Sequence, residues 1–494
     1  MKSPISYLFS CLCLALALPL QAQIHQAWIA RHTLSPSGTN QAVAMSLDRD
    51  GNILIGGHGT STNGDFDYVT LKYSPSGLLL WQARYVGAGD DQVRSMKVDG
   101  DGNALLTGTS VTVKYGTNGV EKWTAPYGGR GVAIDSSGDV YVTGFSETSF
   151  STVKVHRDAG TNLWLRNANV LPSGGDISQA IAIDSKSNVF ISGKVVCYED
   201  PRFRYLNQRT LSYDGNGNWR WASPLQEPDC VYYGAEMRAI QLDPSGEIIE
   251  VAILNGTIPT LRKLSIAGQS IWSTIPKSQS KSWSTLRTGC VDKNGFVYLI
   301  GMSFSLNPSA LQFSTEKIHP SGTNVWFVAH GTGVETKIAH AVTVDEAGNV
   351  YATGQLPGSG TGNDYATINY SPTGQELWVQ RYDGPAHGDD VATAIAVAPD
   401  GSVYVTGWST TSSNLIEITT IKYVQFQSIA VETNRTVSLQ FPGTPGASNR
   451  VQATVDFLDW LDLGFSIADP NGLLHFQDTN APAHPFRFYR TVSP

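Results

Sequence analysis

The chain has 494 residues, only 15% of them charged, and a formal net charge of −8. Typical soluble domains carry about 25% charged residues, so a weakly charged chain with 49 glycines reads as a turn-rich β protein. An acidic balance without a basic stripe argues against nucleic acid and anionic membrane surfaces as partners.

Residues 1–22 read as a signal peptide. Lys2 opens the segment, Leu8–Leu20 supplies an apolar run, and Ala22 offers a small residue at the cut. That run is too short to span a bilayer, and Pro19 breaks it. No later stretch reaches transmembrane length, so the rest of the chain is expected to be secreted or cell-surface associated. Cys197, Cys230 and Cys290 lie beyond the signal. In an oxidising compartment they allow one bridge and leave one thiol over.

From Trp28 onward one phrase recurs. Seven times a glycine is followed four residues later by a tryptophan: Gly77/Trp81, Gly119/Trp123, Gly160/Trp164, Gly217/Trp221, Gly268/Trp272, Gly322/Trp326 and Gly374/Trp378. A second phrase interleaves with it: an Asp, a Gly-centred turn, an alternating apolar run, then Gly. Copies begin at Asp48, Asp99, Asp135, Asp184, Asp292 and Asp345, with weaker ones at Asp243 and Ala398. Alternating Val, Ile, Tyr and Thr bounded by Gly and Asp turns is the strand signal. Turns such as Asp50-Gly51-Asn52 are tight-hairpin chemistry. Four strands per unit over eight units predict an eight-bladed β-propeller across residues 23–424.

Strands are labelled a to d from the channel outward. The chain opens on an orphan d strand around Trp28–Arg31, and its last unit ends at Lys422-Tyr423 without one. The Trp28 strand is therefore expected to complete the eighth blade and hide the free edges. Residues 429–494 hold further short alternating runs, punctuated by Pro442-Gly443 and Pro470-Asn471-Gly472. They predict a small β-sandwich.

Asp364–Tyr370 with Gly374 and Leu377-Trp378, followed by Gly388-Asp389-Asp390 and Val403–Gly407, resembles the bacterial secreted repeats named for a seven-bladed propeller. That resemblance implies an extracytoplasmic protein and makes seven blades the alternative count. The tail, with Phe441-Pro442-Gly443, Phe476–Ala481 and Arg487–Arg490, is similar to a C-terminal β module of exported bacterial proteins. The Gly/Trp phrase is also similar to the tryptophan docking motif of eight-bladed quinoprotein dehydrogenases. Its physical role is packing: Trp28, Trp81, Trp123, Trp164, Trp221, Trp272, Trp326 and Trp378 should tie each blade to its neighbour.

Catalytic signatures are missing from the sequence. It contains no His-Glu-x-x-His, Gly-x-Ser-x-Gly or Cys-x-x-Cys. No catalytic residue and no cofactor is predicted. Asp48-x-Asp50-Gly51-Asn52 and Asp99-x-Asp101-Gly102-Asn103 open like a calcium loop but lack its remaining ligands, so a hairpin turn is the first reading and calcium the second. The acid pairs Asp90/Asp91 and Asp389/Asp390 recur before strand a, which marks a turn requirement; neighbours on a strand also point to opposite faces.

The informative departure is the fourth b-to-c connection, residues 194–210, with Tyr198, Arg202, Arg204 and Tyr205. The next d-to-a connection, 224–236, adds Tyr232 and Tyr233. Both leave the same end of the ring. Aromatics with arginine suit a glycan or an extracellular peptide, and a Cys197–Cys230 bridge would pin this wall. The function expected is thus a secreted or surface binding scaffold. The alternative is an extracytoplasmic enzyme on a propeller platform: a lyase, a glycosidase or a quinoprotein-like dehydrogenase.

Overall fold

The computed structural model describes residues 24–492 apart from 35–37, 63, 147, 170–175, 201–202, 225–234, 255–257, 277–281, 307–308, 332–336, 412–414, 426–427, 432–434, 443–445, 447, 456–458, 470–472 and 485–486. Eight four-stranded antiparallel sheets form the blades. Their innermost strands are Asn40–Leu47, Val93–Val98, Gly131–Ile134, Ile177–Ile183, Ala235–Leu242, Ser282–Val291, Ile338–Val344 and Asp390–Val397. Each of these strands touches the next, and the eighth touches the first, so the ring closes. Eight blades, not seven, is the observed count.

Closure runs as the sequence implies. Ile24–His32 adds to the outer edge of blade 8 and pairs antiparallel with Ile416–Gln425, from Ile24 opposite Gln425 to His32 opposite Ile418. Trp28 of that strand faces Lys422.

Strands b and c are buried along nearly their whole length because neighbouring blades cover both faces. In blade 1, Ile53, Leu54, Ile55, Val69 and Leu71 are fully buried. The outermost strand, Leu79–Tyr85, instead alternates with solvent. Strand a is interrupted by the same one-residue bulge in seven blades, for example between Val93 and Ser95, Met237 and Ala239, and Ala339 and Ala341. A bulge bends its strand and re-aims the extra side chain.

Beyond the ring, Ser428–Val431, Val437–Pro442 and Leu473–Asp478 form one three-stranded sheet. Leu461–Ile467, Ser448–Thr454 and Phe488–Val492 form another. The two share an apolar cluster of Val437, Leu439, Val451, Ala468, Leu474 and Ala481.

Candidate functional site

Most of the repeated polar chemistry is consumed in building the ring. Trp378 excepted, each docking tryptophan lies over the glycine of the following blade: Trp28 over Gly77, Trp164 over Gly217, Trp272 over Gly322. Its indole N–H donates to a carbonyl of that blade, Trp28 to Pro75 at 3.1 Å and Trp272 to Pro320 at 3.0 Å. The glycines are required twice over. Gly322 has φ +85°, and a Cβ there would stand 2.9 Å from the indole of Trp272.

The aspartate turns are equally self-contained. Asp48 Oδ1 accepts the amides of Asp50 and Asn52 at 3.0 and 2.9 Å. Its Oδ2 receives Asn52 Nδ2 at 2.9 Å and the ammonium of Lys72 at 2.8 Å. Burial pushes the Asp48 carboxyl up, but the Lys72 and Asn52 bonds outweigh it and hold the group below the usual carboxylate range. Asp99 repeats this with Asp101, Asn103 and Lys114. Donors thus occupy the carboxylate oxygens of Asp48 and Asp99, each of which closes its turn.

The turn Asp pairs with a strand-c Lys in blades 1, 2, 3 and 5; blade 8 keeps the lysine and lacks the acid. Ala398 stands where the other blades have Asp, and Lys422 is fully buried with no carboxylate bonded to it among the described residues. Its ammonium donates to Pro75 O at 3.2 Å and lies over the Tyr404 ring. Burial lowers its pKa to about 8.

The acid pairs divide their work between two loops. Asp90 and Asp389 accept the amides of Phe66 and Asn363, closing the start of strand c. Asp91 and Asp390 accept those of Gly87 and Gly384, closing their own d-to-a turns. Oxygens of Asp364, Asp383 and Asp390 lie within 4.8 Å of one another, but Asp364 holds Arg381 at 2.9 Å and Asp383 holds His387 at 2.6 Å.

The fourth b-to-c segment corrects an expectation. All of residues 194–210 but 201 and 202 belong to paired strands, not to a loop. They extend a tall hairpin, Val189–Asp200 with Phe203–Tyr213, in which Tyr198 pairs with Tyr205 and Glu199 with Arg204. Val195 and Val196 are fully buried, so the alternating pattern carries the strands outward past the blade's usual end. The side chains of Cys197, Tyr198, Arg204 and Tyr205, together with Arg202, Cys230, Tyr232 and Tyr233, lie outside the described residues. Blade 6 raises a second tall hairpin, Val297–Leu306 with Ser309–Ile318. Between them blade 5 has the shorter Ile248–Leu254 and Ile258–Leu264. Blade 2 has almost no connection at all, Ala104–Gly108 leading into Thr112–Tyr115. The face is lopsided, high over blades 4 and 6 and low over blade 2.

Beneath this saddle lies a polar cluster that sequence reading missed. Glu250 is 0% exposed and stands directly across from Arg262, at 2.6 Å. Its carboxylate also accepts Gln208 Nε2 at 3.1 Å, Ser192 Oγ at 3.3 Å and Thr210 Oγ1. Arg262 reaches Ser223 Oγ and Pro224 O at the base of the 224–236 connection. Blade 1 puts Ile55 and Leu71 at this cross-strand position. The signal was available: a lone Glu inside Ile248-Ile249-Glu250-Val251-Ala252 has no counterpart in the other copies.

Cys290, in strand a of blade 6, is a free thiol whose pKa burial pushes up to about 12, as expected of an unreactive cysteine.

No family model matches the chain, and no curated protein does. Among solved structures, it is similar to the extracellular domain of a putative hybrid two-component system from B. thetaiotaomicron, at 11% identity over 92% of this chain and 70% of that one, TM-score 0.36. It is also similar to the extracellular domain of a putative one-component system from the same organism, at 10% identity over 95% and 79%, TM-score 0.28. A protein of unknown function from Dyadobacter fermentans aligns at 13% identity over 81% and 99%, TM-score 0.38. Likeness this distant carries no assignment of ligand or activity. Among the described residues, no helix is long and apolar enough to cross a membrane.

Proposed function

We propose that this propeller is an exported bacterial recognition scaffold of the secreted-repeat kind, carrying a C-terminal β-sandwich module, and that its ligand meets the b-to-c face over blades 4 to 6. The observation that carries the reading is the contrast between blades. Repeat-derived Trp, Asp and Lys are largely engaged in closing the ring, whereas the departures from the repeat gather at one place: two raised hairpins, a low blade between them, and a buried Glu250–Arg262 pair below. Tyr198, Arg202, Arg204, Tyr205, Tyr232 and Tyr233 are the side chains proposed to hold a glycan or an extended peptide, with Cys197–Cys230 as the pin. Aromatic faces bind sugar rings and peptide backbones alike, and arginine adds directional hydrogen bonds.

The test is a glycan and peptide array on the purified chain and on a variant with residues 198–205 replaced by a Gly-Ser turn, which spares the buried Val195 and Val196. Thermal shift follows each hit. Loss of binding with the ring's melting unchanged supports the reading; a ligand bound equally well by both proteins refutes it.

A further inference from the structure

The innermost strands carry a charge pattern that the face above them does not explain. Five residues before each turn Asp, and before Ala398 in blade 8, stands the residue at the strand-a bulge or its equivalent. In five blades that residue is Arg94, Arg130, Arg238, Arg287 or His340. The seven residues preceding each turn include one more base, Lys97, and a single acid, Glu236. Five permanent cations (Arg94, Lys97, Arg130, Arg238, Arg287) against one carboxylate give +4, in a chain whose net charge is −8.

These side chains belong to the strands that line the channel. Strand b covers one edge of strand a, and the neighbouring inner strands cover its faces. Yet Arg94 and Lys97 are exposed, and Arg238, Arg287 and His340 are partly so. The bulges at Arg94, Arg238, Arg287 and His340 explain how an inner strand turns a long side chain toward the axis.

Blades 5 to 7 bring three of them together. Glu236 satisfies one end of Arg238 at 2.6 Å. The Nε atoms of Arg238 and Arg287 and Nε2 of His340 are buried without a hydrogen-bond partner among the described residues. The groups also sense one another: after burial, Arg238 is the next cause lowering the Arg287 pKa, and Arg287 the next lowering that of His340. Like charges gathered beside unsatisfied donors, with one acid to balance them, leave a place for an anion.

We infer that the central channel is an oxyanion site, in which Arg238, Arg287 and His340 hold a small molecule bearing phosphate or several carboxylates and Arg94 and Lys97 draw it in from the opposite wall. The site is independent of the raised hairpins, so either can fail without the other. Citrate and inorganic phosphate are the probes, titrated calorimetrically at constant ionic strength set with sodium chloride. Saturable binding of either anion is expected, at least tenfold weaker in Arg287→Gln and unchanged in Lys293→Gln, whose lysine lies on the outer turns beside Glu346. Binding of phosphate alone or citrate alone identifies the headgroup. Should Arg287→Gln fold poorly by circular dichroism, Arg94→Gln, at an exposed side chain, replaces it with the same weakening expected in milder form. No saturable heat with either anion, or equal affinity in the arginine variants and Lys293→Gln, overturns the inference.

Discussion

Glu250→Ala should be among the most damaging single substitutions in the ring, and the structure says by how much. Removing the carboxylate leaves Arg262, itself 3% exposed, with Pro224 O at 3.3 Å and Ser223 Oγ at 3.4 Å as its partners among the described residues. A buried cation stripped of its partner costs about 3–5 kcal/mol. Unfolding entropy of ~2.1 cal/mol/K per residue over roughly 400 ring residues is about 0.8 kcal/mol/K, so a ring melting as one unit should lose ~4–6 °C. The informative control restores the blade 1 pair, Glu250→Ile with Arg262→Leu. It removes both charges and strands only the neutral partners, chiefly Gln208 Nε2, at about 1–3 kcal/mol. Apolar packing offsets part of that, so the double variant should melt within ~2 °C of the parent. Differential scanning calorimetry on the three proteins decides it. A double variant melting as low as Glu250→Ala would mean the loss comes from the hydroxyl and amide network, and the charge argument would be wrong.

Gly322→Ala places a methyl 2.9 Å from the Trp272 indole at φ +85°, and should cost about 2 kcal/mol, read as a lowered denaturation midpoint; unchanged stability would show that the docking contact is slack. Lys422 has a folded pKa of about 8 against an ordinary 10.5. The unfolded chain therefore binds more protons between those values, so the penalty is full below pH 8 and fades as pH rises toward 10.5. At about 1.4 kcal/mol per unit the penalty at pH 7 is up to about 3 kcal/mol. Lys422→Met should accordingly raise the melting temperature at pH 7 and flatten its rise between pH 8 and 10, and a parallel pH profile in both proteins would refute the linkage.

The architecture was legible because a propeller repeats one solution eight times. Trp28 could be assigned to blade 8 from arithmetic alone, since one strand was left over at one end and one missing at the other. Turn aspartates and docking tryptophans were readable for the same reason: their partners sit at fixed spacing in the same or the next copy. The hairpin of blade 4 was misread as a loop because Tyr198, Arg202 and Arg204 look polar and irregular, whereas the backbone simply continues its pairing to Asp200 opposite Phe203. Glu250 and the arginine ring were missed for a different reason. Each is a departure from the repeat at an internal position, and its meaning depends on side chains from other strands or blades. Spacing within one copy cannot display that convergence, although counting back five residues from each turn Asp would have lined up Arg94, Arg130, Arg238, Arg287 and His340.

The Ile24–His32 strand gives the molecule a clasp whose two halves are made at opposite ends of synthesis. Trp28 and Lys422 meet across about 390 positions of chain, a loop whose closure is entropically dear and slow compared with any hairpin inside a blade. The same nine residues finish the sheet of blade 8 and lay Trp28 over Gly77 of blade 1, so one late event seals two joints. Without that strand, blade 8 would keep three strands and present the edge of Ile416–Gln425 unpaired. Loss of that one segment would therefore expose both a free sheet edge and an undocked Gly77 to mispairing with another copy.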